Sequence, residues 1–122
     1  MEIVLMTVGR TTTRWVVEGI EEYVGRLKRY VKFSIKTLPD VKNTKSLTEH
    51  QQKEAERKLI CAEIADSDYV VLLDERGKEY TSVEFAAWTE KVSAMGRKRL
   101  LLVVGGPYGF SEEVYKRAHH KI

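Results

Sequence analysis

Glycines, carboxylates and one leucine carry the chemistry that this sequence suggests. The apolar run Leu100-Leu101-Leu102-Val103-Val104 stops at Gly105-Gly106-Pro107-Tyr108-Gly109-Phe110, and a capping serine, Ser111, follows. This reads as a buried strand feeding a glycine turn. In an open parallel sheet, ligands bind beyond the carboxyl ends of the strands, and glycine there lets a ligand reach the backbone with no Cβ in the way. An ordinary strand-to-helix turn also uses glycines, so the neighbouring residues must decide. The helix entered at Ser111 begins with Glu112 and Glu113, carboxylates that already occupy its positive end. A phosphate would meet two negative charges there, whereas a neutral adenosine or a cationic group would not. Leu72-Leu73-Asp74 ends another apolar run. If the two strands are neighbours, the end of that run and the glycine turn form the walls of an adenosine slot, with backbone groups reading the base edge.

The elements that must position this slot follow from periodicity. Ile3 to Val8 is an apolar run of strand length, and Gly9-Arg10-Thr11-Thr12-Thr13 offers a turn and hydroxyl caps. Val16, Ile20, Tyr23, Val24 and Leu27 then recur at helical spacing and predict a helix packed on a sheet. Lys32 to Leu38 alternates apolar and polar residues, as a strand with one wet face does. Ser46-Leu47-Thr48-Glu49 matches a capping box and opens a long polar helix to about Ile64, with Leu47, Ala55, Leu59 and Ala62 inward and Gln52, Lys53 and Glu56 outward. Tyr69 to Leu73 is a third strand. Thr81-Ser82-Val83-Glu84 is a second capping box, before a helix with Phe85, Trp88, Val92 and Met95 on its apolar face. Leu100 to Val104 is the fourth strand, and a final helix starts at Ser111 and runs to Lys121-Ile122. Alternating strands and helices predict an α/β fold, a mostly parallel sheet with helices on both faces, in a single domain over residues 1–122.

Composition bounds the partners. The 122 residues are 43% hydrophobic and 32% charged, which suits one compact soluble domain with one core. No apolar run spans a bilayer, and Met1 to Met6 lacks the basic flank of a secretory signal, so a cytoplasmic location is expected. Cys61 is the sole cysteine and reads as a small apolar residue. The net charge of +3 permits nucleic acid without demanding it. Arg26 to Lys36 interleaves five bases with aromatic and aliphatic residues. Cations at a helix C-terminus account for part of this pattern, and a phosphate-contacting patch accounts for it equally.

Several chemistries are excluded. Val8-Gly9-Arg10-Thr11-Thr12-Thr13 is neither a dinucleotide fingerprint nor a P-loop. No acidic residue ends the first strand, which argues against a magnesium-dependent phosphatase or a phospho-acceptor site. His50, His119 and His120 lack partners at ligand spacing, so no metal is expected and surface placement is the simpler reading.

The motifs together carry a resemblance. Thr7-Val8-Gly9-Arg10, Glu22-Tyr23 with Arg26-Leu27, Leu72-Leu73-Asp74 with Gly77-Lys78, then Ser82 and Phe85-Ala86, and above all Val104 to Phe110 resemble the ribosomal RNA large subunit methyltransferase H family, one of the knotted SPOUT methyltransferases. The match runs in order over the whole chain. It implies a homodimeric enzyme that uses S-adenosylmethionine to methylate N3 of a pseudouridine in large-subunit ribosomal RNA, free or in the assembled ribosome. By motif, Leu73 and Gly105 match positions that contact the cofactor. Members of the family continue into a further strand, a knot-threading loop that holds the cofactor, and a last helix with dimer contacts. The resemblance therefore implies a C-terminally truncated chain, an active parent, and weak or undetectable cofactor binding by these 122 residues. No catalytic base is assigned. The competing expectation is a non-catalytic RNA-binding or ribosome-associated module, since the basic segment is present and no acid/base pair is evident; a third is a structural domain whose partner covers the glycine turn.

Overall fold

A computed structural model describes residues 1–122. The apolar runs become β1 (Glu2–Val8), β2 (Lys32–Leu38), β3 (Asp68–Leu73) and β4 (Arg99–Val104). They alternate with α1 (Arg14–Leu27), α2 (Glu49–Glu63), α3 (Ser82–Ser93) and α4 (Glu112–Arg117), and a short β5 (His120–Lys121) comes last. The sheet order is β2-β1-β4-β3-β5, and every pairing is parallel.

That order decides which helices share a face. Crossovers from β1 to β2 and from β3 to β4 step in one direction across the sheet, and those from β2 to β3 and from β4 to β5 step in the other. Right-handed connections therefore put α1 with α3 on one face and α2 with α4 on the opposite one. The packing agrees. Val4, Met6, Val70, Leu72, Leu101 and Val103 bury against Ile60 of α2 and Val114 of α4, while Val71 and Leu100 pack on Val92 of α3.

The two faces are unequally covered. No residue of α1 is buried, and Trp15 and Tyr23 are 76% and 63% exposed. An apolar groove of about 400 Å³ remains between α1 and β1 and β2. The predicted apolar stripe of α1 thus faces the sheet but leaves part of its area in solvent.

Local expectations shift in three places. The last helix stops at Arg117, and the chain turns back as β5 instead of continuing helical to Ile122. His119 N–H donates to Val70 O at 2.8 Å and Ile122 N–H to Leu72 O at 2.9 Å, while Asp74 N–H donates to Ile122 O at 2.8 Å. Without these bonds β3 would be an edge strand with unpaired polar backbone. The long helix is capped by Thr48 with Gln51, two residues later than Ser46 with Glu49, because Thr44–Ser46 forms a 3₁₀ turn. Its inner face is also rotated. Gln52, Glu56 and Ile60 are buried at i, i+4, i+8, whereas Ala62 is exposed.

Candidate functional site

Leu73 pairs with Val104 in the β3–β4 ladder, so Leu73 and Gly105 stand side by side where both strands end. A cleft of about 590 Å³ opens over them, and the whole turn from Gly105 to Phe110 lines it. The neighbour relation assumed from sequence is therefore the one the fold makes.

The glycine pair is required by the protein's own packing. Neither Gly105 nor Gly106 has a positive φ, unlike Gly109 at +78°. A Cβ at Gly105 would lie 2.9 Å from the Phe110 ring, and one at Gly106 would collide with the Glu56 carboxylate. Phe110 and Glu56 are both buried. Glu56, assigned to the wet side of its helix from sequence, instead reaches under the turn, where Gln52 Nε2 donates to its Oε2 at 3.3 Å. The turn is closed by Gly109 N–H donating to Gly106 O at 3.3 Å.

The charge of the cleft is mixed and leans negative. Asp74, Glu75 and Glu112 line it, as do Lys53 and Arg76. Glu113 points elsewhere, to Arg57 Nη1 at 3.1 Å. Asp74 Oδ2 is buried with no hydrogen-bond partner. Beside it the Tyr115 hydroxyl has its pKa raised, first by burial and then by the Asp74 carboxylate. Acidic neighbours and a glycine backbone fit a ligand that is cationic or neutral. They do not fit a polyphosphate. Lys53 and Arg76 were missed from sequence, Lys53 because the helix face was misphased and Arg76 because a loop arginine has no periodic signal.

The histidines lie outside this cleft. His119 and His120 line an adjoining one of about 570 Å³, which shares Asp74, Arg76 and Tyr115 with the first. Surface placement describes them only in part. His119 is exposed, yet its Nδ1 accepts from Val70 N–H at 3.0 Å and its ring stacks on Tyr69 with centroids 4.9 Å apart. Its pKa is lowered by burial of the ring nitrogen and then by Arg97. His120 Nε2 meets the Tyr80 hydroxyl at 2.8 Å. No group of three or more His, Cys, Asp or Glu side chains is gathered for a metal ion, and no helix is long and apolar enough to cross a membrane.

The basic segment lies at the far edge of the sheet. Lys28 and Arg29 precede the amino end of β2, which is separated from β4 by β1. Two of its cations are spoken for: Arg26 pairs with Glu22 at 2.6 Å and Lys32 with Glu2 at 3.3 Å. The amino edge is held by a tighter pair, Asp68 with Arg99, in which Arg99 Nε and Nη2 donate to the two carboxylate oxygens at 2.9 and 2.6 Å. Burial alone would raise the Asp68 carboxyl, but bonds from Arg99 and from the Ala65 N–H outweigh it and hold it below the usual range.

Comparison with known proteins gives a consistent result. A family model described as "Predicted SPOUT methyltransferase" matches residues 1–122. The chain is 51% identical over 122 residues to the ribosomal RNA large subunit methyltransferase H of Parabacteroides distasonis, covering all of this chain and 78% of that protein. Proteins of the same name from Bacteroides fragilis and Christiangramia forsetii are 49% and 48% identical over the same shares.

Proposed function

We propose, from the premise that this chain belongs to the SPOUT methyltransferase family, that it methylates large-subunit ribosomal RNA with S-adenosylmethionine, and that the target is N3 of a pseudouridine. The observation that carries the reading is the pairing of Leu73 with Val104, which sets Leu73 beside Gly105 in one cleft at the carboxyl edge of a parallel sheet. The relatives' names supply the RNA.

When bound, the cofactor supplies an electrophilic methyl on a positively charged sulfur. Leu73 and the Gly105 backbone hold its adenosine part, the leucine by apolar contact and the turn by open peptide groups. Asp74, Glu75 and Glu112 line the same cleft and favour a cationic occupant. Their work is binding and orientation, which is where much of the rate of a methyl transfer between two bound partners arises. No side chain is assigned to take the N3 proton. The enzyme acts as a homodimer in the cytoplasm, on ribosomal RNA or the assembled ribosome.

Calorimetric titration of S-adenosylmethionine into a protein extended by the C-terminal segment that the resemblance implies, followed by transfer of a labelled methyl group to large ribosomal subunits and nucleoside analysis, tests this, with residues 1–122 alone giving weak or undetectable heat. Saturable heat and label on N3-methylpseudouridine are expected. No heat at high-micromolar ligand from the folded, extended protein would remove the cofactor. RNA binding without cofactor uptake would leave a non-catalytic RNA-binding module instead.

A further inference from the structure

We infer that RNA crosses the carboxyl edge of the sheet, held by unpaired cations on the loops after β1, β2 and β3 and stacked on Tyr108, and does not lie on the basic segment around Lys28 and Arg29. This rests on the ribosomal RNA reading above and says where the substrate sits. Arg10 follows β1, Lys42 and Lys45 follow β2, and Arg76 and Lys78 follow β3. All five are exposed, and none is among the cations paired with a carboxylate. Some cations elsewhere are matched, as Arg14 is to Glu18, Arg57 to Glu54 and Arg99 to Asp68, but Lys28 and Arg29 are also exposed and without a carboxylate partner, so it is position relative to the cleft that separates the two sets.

Strand order turns these loops into a line. Across the edge come the loops of β2, β1, β4 and β3, so cations flank the glycine turn on both sides. At its centre stands Tyr108, 45% exposed and lining the cleft. Free cations match phosphates, and an exposed ring beside the cleft is a platform for a base turned out of its stack. Lys28 and Arg29 fail on geometry. β1 spans Glu2–Val8, so the two edges are about 20 Å apart at about 3.3 Å per residue. A backbone held at the amino edge leaves its bases far from the cleft.

The test is the equilibrium binding of a fluorescein-labelled, mixed-sequence single-stranded RNA to the full chain, followed by anisotropy over a range of salt. Replacing Arg10, Lys42 and Lys45 together by alanine should weaken binding about ten-fold or more at low salt and flatten the log–log salt slope by about 2, near 0.7 per lost phosphate contact. Tyr108→Ala should weaken binding about ten-fold with the slope unchanged, since stacking releases no counterions. Lys28→Ala with Arg29→Ala should leave affinity within about two-fold. Circular dichroism and urea unfolding midpoints, matched to the unsubstituted protein, confirm that each variant is folded. Loss of affinity and slope in the Lys28 and Arg29 variant but not in the rim variant overturns the placement. No RNA binding by the unsubstituted protein overturns it together with the RNA substrate, whereas rim-dependent RNA binding with no cofactor uptake even by the C-terminally extended protein sustains the rim and removes the enzyme.

Discussion

A methyl group at Gly106 would land on the Glu56 carboxylate, and that single contact links the cleft to the core. Glu56 is only 4% exposed, so it has little room to retreat. Gly106→Ala should cost about 2 kcal/mol, the scale of overpacking a filled site. The same substitution made on a Glu56→Ala background should cost much less, because the obstructing carboxylate is gone. Urea midpoints of the four proteins in this cycle measure the difference; equal costs on both backgrounds would show that the contact is not the reason for glycine. His119 offers a pH prediction. Its Nδ1 accepts from Val70 N–H, which requires the neutral ring, and its pKa is lowered by burial and by Arg97. The unfolded chain therefore takes up the proton first as pH falls. Stability should be full above about pH 6.5, decline from there to the lowered folded-state value, and then level off. The step should vanish in His119→Gln, with stability measured by urea at about pH 7.5 and about pH 5 in both proteins. At this scale the positions of Leu73 and Gly105 at neighbouring strand ends were readable because each sits where an apolar run stops. Glu56 was not, because a carboxylate buried under a glycine obeys neither helical amphipathicity nor any short motif.

Among the elements, strands with continuous apolar runs were readable, and β5 was not. Two residues, His120 and Lys121, carry no periodicity; what makes them a strand is the edge that β3 leaves open. The loop after β3 completes the enclosure. Asp74 N–H donates to Ile122 O at 2.8 Å and Lys78 N–H to Lys121 O at 3.0 Å, and a Cβ at Gly77 would collide with the Ile122 backbone. The amino ends of β3 and β4 are joined differently, through Asp68 and Arg99, 31 residues apart in the chain and invisible to local pattern. Arg99 Nη2 also donates to Glu63 O at 3.0 Å, which ties in the end of α2. Asp68→Ala should destabilise the fold by about 3 kcal/mol, because it leaves a partly buried guanidinium without its carboxylate. Thermal unfolding and urea titration measure this, and a loss below about 1 kcal/mol would mean that solvent already screens the pair.

Taken whole, the molecule separates its two tasks by sheet edge. Strand ends at the amino edge are fastened by Asp68, Arg99 and Arg97, with Arg97 Nη1 donating to Asp68 O at 3.0 Å. Strand ends at the carboxyl edge carry the cleft with Leu73, Gly105 and the acidic rim. Parallel strands make this division possible, since all of them present the same end to the same side. The sequence predicted parallel strands with helices on both faces, but the sheet order, and with it the neighbours of each loop, came only from long-range pairing. If the division holds, stability and cofactor affinity should be separable by substitution in the protein extended by the C-terminal segment that the resemblance implies. Asp68→Ala should lower the melting temperature while leaving the Kd for S-adenosylmethionine unchanged, because its side chain is at the opposite end of β3 from Leu73. Glu112→Gln should do the reverse. Glu112 is exposed at the start of α4, so its loss costs at most about 0.5 kcal/mol of stability, while one fewer negative charge on the cleft should weaken a cationic cofactor about three-fold. Ligand linkage supplies the decisive comparison. At about 100 times the Kd, bound ligand adds about 2.7 kcal/mol to unfolding whatever the starting stability. That increment should be the same in the unsubstituted protein and in Asp68→Ala, measured by urea unfolding with and without the cofactor. A smaller increment in the variant would mean that the amino-edge clasp also shapes the cleft, and that the two edges act as one unit.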